Sequence, residues 1–81
     1  MRLDKFLKVS RILKRRTVAQ EAASAGKICV NGKEAKPSHR LKIGDEVTVC
    51  FSSNEFRFRV TDLKETVKKD EAQTLYEVID D

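Results

Sequence analysis

Eighty-one residues with a formal net charge of +4 leave room for one small domain, and at that size folding buries only about 60–65% of the surface the unfolded chain exposes. With 37% charged and 40% hydrophobic residues the composition excludes a disordered chain, and no apolar run reaches the length of a membrane span. The charge is divided: residues 1–45 hold twelve Lys/Arg against four Asp/Glu, a net of +8, and residues 46–81 hold five against nine, a net of −4, which points to a basic binding face and an acidic end held away from it.

Taken in chain order, Leu3, Phe6, Leu7 and Ser10 share one helical face while Lys5, Lys8 and Arg11 lie opposite, which predicts an amphipathic helix over about 3–10 with Phe6 and Leu7 in the core. A second helix is expected from 15 or 16 to 25. Its buried stripe is read as Val18, Ala22 and Ala25, with Ala19 at the margin, and these small side chains allow close approach to the first helix. Gly26 supplies a left-handed stop. The period then changes to two: Ile28 and Val30 lead into a hairpin turn at Asn31-Gly32. Pro37 to Arg40 reads as a loop, anchored by Leu41 and Ile43 before a turn at Gly44-Asp45. "EVTVCF" places Val47, Val49 and Phe51 on one face, "SSNE" turns, and "FRFRV" points Phe56, Phe58 and Val60 inward with Arg57 and Arg59 outward. In the tail Ala72, Leu75, Tyr76 and Ile79 suit a short helix, and "LYEVI" equally suits a last strand. The expected class is α+β: two short N-terminal helices packed on a small, strongly curved antiparallel sheet, with a short C-terminal element.

Catalytic constellations are absent from the pattern. Cys29 and Cys50 have no base beside them and read as small, mostly buried hydrophobes in a reducing cytoplasm, and the lone His39 cannot complete a zinc site. The carboxylates show no spacing for a paired acid and base, and the three glycines are isolated turn residues rather than a phosphate loop. The expectation is a non-enzyme with no metal and no cofactor. "MRLDKFLKVSRIL" carries charges throughout and lacks the apolar core of a secretory signal, so a cytoplasmic protein without a membrane partner is expected.

The basic residues carry the functional signal. In "LKRRTVAQ", Lys14, Arg15 and Arg16 stand where the second helix begins, and cations are mildly unfavourable at that positive end of a helix dipole. A phosphate reverses the sign, because unpaired backbone N–H groups, the dipole and three cations then favour the same anion. Thr17 and Gln20 lie within the next turn, able to reach sugars or base edges. The first helix adds Arg2, Lys5, Lys8 and Arg11, the hairpin Lys27 and Lys33, and the loop Lys36 and Arg40, whereas Lys42 and Lys64 read as solvated surface. A DNA-reading helix-turn-helix wants a long polar recognition helix, but this second helix is alanine-rich with its charge at its start, so structured RNA read by shape and backbone is the better match. The phenylalanines fall on inward faces, which leaves no aromatic platform for stacking single strands.

The stretch "RLDKFLKVSRILKRRTVAQEAASAGKICVNGKEAKPSHRLKIGDEV" resembles the RNA-binding domain named after ribosomal protein four of the small subunit, through Arg-Leu-Asp at its start, the basic entry to helix two, the following Gly, the Val-Asn-Gly-Lys hairpin and the Gly-Asp turn. The resemblance covers residues 2 to about 50. It implies an alpha-L motif of helix, helix and hairpin, an RNA-binding domain over 1–60, and residues 61–81 as an extension of the same domain. It singles out Arg2, Lys5, Lys14, Arg15, Arg16, Thr17 and Gln20 as contacts, with Asp4 orienting Arg2 or a neighbouring backbone group. The whole chain resembles the RqcP-type ribosome-associated factors, relatives of heat-shock protein fifteen. That likeness implies a monomer that binds ribosomal RNA of the large subunit and peptidyl-tRNA after a stall, and works with RqcH in alanine tailing. The ending "EVIDD", where the heat-shock relative has a longer basic extension, favours the RqcP type. A general RNA chaperone or assembly and recycling factor of the heat-shock type is the alternative, and a DNA-binding regulator a third reading.

Overall fold

Leu3, Phe6 and Leu7 recur at the helical interval and form one wholly buried edge of α1 (Leu3–Val9), capped at its C-terminus by Ser10. The computed structural model describes residues 1–79, so Asp80 and Asp81 of the acidic end lie outside the described residues. Beyond Ser10 the chain turns through Arg11, which holds φ +63, and the Leu13 amide donates back to the Leu7 carbonyl at 3.0 Å. An arginine in this left-handed region is uncommon and costs about 1–2 kcal/mol.

α2 spans Arg16–Ser24. Its end is a Schellman motif: Gly26 N–H donates to Ala23 O at 3.1 Å and Lys27 N–H to Ala22 O at 3.0 Å, with Gly26 at φ +76. The buried stripe is not Val18, Ala22 and Ala25. Ala19 and Ala23 are buried, Ala22 is half-buried, Ala25 is exposed and Val18 is 43% exposed. Two things set this rotation. Arg16 and Gln20 turn toward α1 to reach Asp4, and residues 16, 19, 20 and 23 form one stripe at helical spacing. Alanine methyls at 19 and 23 then allow the close approach.

The sheet has five antiparallel strands in the order β2-β1-β3-β4-β5: β1 (Ile28–Val30), β2 (Lys33–Glu34), β3 (Glu46–Cys50), β4 (Glu55–Val60) and β5 (Tyr76–Val78). Asn31 at φ +53 and Gly32 at φ +84 make the β1–β2 turn. The register sets Val30 opposite Val47, Val47 opposite Phe58 and Val60 opposite Tyr76, so one face collects the apolar side chains. Both tail readings hold on adjacent segments: a 3-10 helix over Lys69–Leu75 buries Ala72 and Leu75, and β5 follows at once.

Leu3, Phe6 and Leu7 of α1, Ala19 and Ala23 of α2, and Ile28, Val30, Val47, Val49, Phe58 and Val60 of the sheet form one core, with Phe6 stacked on Phe58 at 6.0 Å. Four expectations differ. Leu41 is buried, but Ile43 is 64% exposed, at the tip of a tight turn in which Asp45 N–H donates to Lys42 O at 3.1 Å and Gly44 holds φ +97. Phe51 is 48% exposed because β3 ends at Cys50 and the alternation stops with it. Cys29 and Cys50 are half-buried, since both lie on the sheet face away from the helices.

Candidate nucleic-acid interface

The N-terminal residues are stitched to the loop after β2. Leu3 N–H donates to His39 O at 2.8 Å, Asp4 N–H to Pro37 O at 3.1 Å and Leu41 N–H to Met1 O at 2.8 Å, so Arg2 and Arg40 lie across an antiparallel bridge. This seam fixes where α1 begins, and with it the position of Asp4.

Asp4 is fully buried, and four residues converge on it. Arg2 donates through Nε at 3.1 Å and Nη2 at 3.2 Å, Arg16 through Nε at 3.2 Å, Gln20 through Nε2 at 2.9 Å, and the Lys5 amide at 2.8 Å. A single carboxylate thus ties the chain ahead of α1 to the first and second turns of α2. Burial pushes the Asp4 carboxyl up, but the bonds from Gln20, Arg16, Arg2 and the Lys5 amide outweigh it and bring its pKa down to about 2 from 3.8. The folded state therefore binds this proton more weakly than the unfolded state. The stabilisation is complete well above pH 3.8 and is lost as pH falls toward about 2. We expect about 2 kcal/mol to disappear across that window in urea melts, on top of the chain's other acid losses.

The two guanidiniums keep a net positive charge beside Asp4, each bonded to it through Nε and Nη2, and the two arginine side chains remain 44% and 42% exposed. Such a fan of fixed planar donors suits bidentate recognition of phosphate. Arg15, extended at φ −130, precedes α2 without a side-chain cap. The first-turn amides of α2 thus add their dipole to the same corner. Thr17 is exposed on that turn.

The remaining cations fall into separate groups. Lys8, Arg11 and Lys14 line one cleft, whose other wall is Glu65, Thr66 and Val67 of the segment after β4. Lys5 bonds the Glu65 carboxylate, whose pKa is lowered by the bond and charge of Lys5. Arg2 and Lys36 line a second hollow with Ser24 and Ser38. Lys27 and Lys33 join neither: Lys27 leads into β1, its carbonyl accepting from Cys50 N–H, and Lys33 shares a hollow with His39 beside the hairpin. The structure therefore brings together Arg2, Arg16 and Gln20 directly, and Lys8, Arg11 and Lys14 around one cleft, with Arg15 and Thr17 at the start of α2. Sequence reasoning overlooked the Arg16 and Gln20 bonds to Asp4, although their spacing of four on a helix was a signal that they share a face. It had no signal for Glu65, sixty residues from Lys5.

The Cys50 thiol is pushed up by burial and by the neighbouring Glu55 carboxylate, so it stays protonated at neutral pH. Among the described residues no three His, Cys, Asp or Glu side chains gather as metal ligands would, and no helix is long and apolar enough to cross a membrane.

The fold and site define a small α+β domain in which two arginines and a glutamine are fixed on one buried carboxylate of the helix pair. The S4 domain model matches residues 1–47. The RQC P-site tRNA stabilizing factor of Bacillus subtilis is 52% identical over 79 residues, covering 98% of this chain and 92% of that protein. Its counterpart in Halalkalibacterium halodurans is 54% identical, covering 96% and 89%. The trimeric structure of Vibrio cholerae heat shock protein 15 superposes with a TM-score of 0.90 at 32% identity, over 98% of this chain and 81% of that one. The chain belongs to the S4-domain family, within the branch that holds the RQC P-site tRNA stabilizing factors and the heat shock protein 15 relatives.

Proposed function

We propose that this chain is a non-enzymatic, cytoplasmic RNA-binding factor that sits as a monomer on large ribosomal subunits carrying stalled peptidyl-tRNA, touches ribosomal RNA and tRNA together, and supports alanine tailing alongside RqcH. The observation that carries the RNA part is the Asp4-centred fan of Arg2, Arg16 and Gln20, with Arg15 at the start of the same helix and Lys14 in the neighbouring basic cleft. The tRNA and ribosome part rests on the names of relatives that match nearly the whole chain. In this reading Arg2, Lys5, Lys8, Arg11, Lys14, Arg15, Arg16, Thr17 and Gln20 meet RNA first. Lys36 and Arg40 extend the surface from the seam, and Lys27 and Lys33 act only on a ligand large enough to reach past it.

The test is sedimentation with purified large subunits, with and without peptidyl-tRNA. Preference for the loaded subunits is expected, with a log–log salt slope of about −4 to −7. Recovery only in ribosome-free fractions of a gently lysed cell overturns the reading. Equal binding to empty subunits favours the second reading, a general RNA chaperone or recycling factor, for which the close superposition on heat shock protein 15 speaks. Arg16→Ala is expected to weaken RNA binding by about 1–3 kcal/mol. Because Arg16 also bonds Asp4, some thermal stability is lost too, and Arg16→Lys separates the roles: it keeps the charge but not the planar fork.

A further inference from the structure

Arg11, held at φ +63, lines two neighbouring concavities. One is the basic cleft shared with Lys8 and Lys14. The other is a groove floored by Ile12, Phe56 and Tyr76 and walled by Phe51, Asn54 and Glu55. A non-glycine residue held in this rarely populated conformation stands at the junction of the two concavities.

Phe51 is the unusual member. Its backbone is fixed at the mouth of the β3–β4 hairpin, where its N–H donates to Asn54 O at 2.7 Å, yet its ring is 48% exposed. It lines the groove on one side and, on the other, a second hollow with Ser52, Ser53 and Ile79. Phe51 thus borders both hollows, with Asn54 and Glu55. Beneath the groove Phe56 and Tyr76 meet edge to face at 6.2 Å, giving a firm apolar floor. Glu55 borders the groove, but its carboxylate turns to the opposite sheet face, where it accepts from Cys50 Sγ at 3.7 Å.

We propose that this groove takes an unpaired nucleotide of the bound RNA, its phosphate on Arg11 and its base stacked on Phe51. The inference rests on the RNA reading above and extends it from backbone contacts to a base. Arg11 gives the direction of entry: it attracts phosphate at the end that continues into the basic cleft, which leaves the base to reach the aromatic end of the groove. Continuity with the cation cleft is what selects RNA over an apolar peptide as occupant.

The probes are two RNA hairpins that differ only in a short unpaired 3′ tail. Wild-type protein is expected to bind the tailed hairpin about tenfold more tightly than the blunt one. Phe51→Ala and Phe51→Leu should both erase that increment and leave blunt binding unchanged, the leucine because it keeps apolar area without a π face. The chain contains no tryptophan, so Phe51→Trp gives a single emission reporter, expected to be quenched by the tailed hairpin and not by the blunt one. Thermal melts should match wild type, as the ring is half in solvent. Equal binding of both hairpins by wild-type protein, or an increment that survives Phe51→Ala, overturns this site and leaves the RNA reading standing. Failure of both hairpins to bind overturns the RNA reading and this site with it.

Discussion

Phe6→Ala is expected to lower the unfolding free energy by about 3–5 kcal/mol, read as a drop in the denaturant midpoint with little change in slope. The ring is fully buried and lies nearly parallel to Phe58, at 6.0 Å and 13°, while Phe58 also meets Phe56 at 5.7 Å and Tyr76 at 5.5 Å. Phe6 is thus the point at which α1 joins an aromatic cluster spanning β4 and β5. Truncation removes the transfer energy of the ring and leaves a void that a short helix, held by backbone bonds at both ends, cannot collapse to fill. A domain of this length has about 4–12 kcal/mol of stability in total, so the loss takes a large share of it. Binding measured on the folded fraction at low temperature should fall less than stability does, since Phe6 touches no ligand. A loss below about 1 kcal/mol would mean that α1 is held mainly by its seam with residues 37–41.

What the sequence made readable, and what it hid, follows from the range of the interactions involved. The Asn31-Gly32 turn, the Gly26 stop and the alternation of Phe56, Phe58 and Val60 are local, and each lies where its pattern placed it. The rotation of α2 was not local. Valine outweighs alanine in any hydrophobic stripe, so Val18 pulled the expected face the wrong way, whereas the real face is set by two polar side chains reaching a carboxylate twelve and sixteen residues earlier. Phe51 differs for the opposite reason: the sequence alternates one residue past the end of β3, which conceals the exposed side chain. The tail resisted a single assignment because two structures share it, the 3-10 helix ending at Leu75 where the strand begins at Tyr76. In the candidate interface the kinds of residue were evident from charge alone. Their grouping was not, because Lys5 with Glu65 and Arg2 with Arg40 are brought together only by the closed fold.

Asp4→Asn should separate the fold's need for the carboxylate from the ligand's. The amide keeps the shape but offers one acceptor oxygen where the carboxylate offers two, and its NH2 group faces the donors of Arg16 and Gln20. A loss of about 2–4 kcal/mol is expected, held below the full cost of breaking a buried pair because both arginines are partly in solvent and can turn outward. The variant's melts should also lack the added loss of stability that wild type shows as pH falls from 3.8 toward about 2. For RNA the two physical effects oppose each other. Removing one negative charge adds attraction for phosphate, which low salt exaggerates. Freeing Arg2 and Arg16 imposes on binding the ordering that Asp4 now does in advance, about 0.5–1.5 kcal/mol for each side chain. At near-physiological salt the ordering term is the larger, so Asp4→Asn is expected to bind structured RNA several-fold more weakly despite its extra positive charge. Tighter binding at every salt concentration would show that these arginines act as charge alone and that their fixed geometry is irrelevant to the ligand.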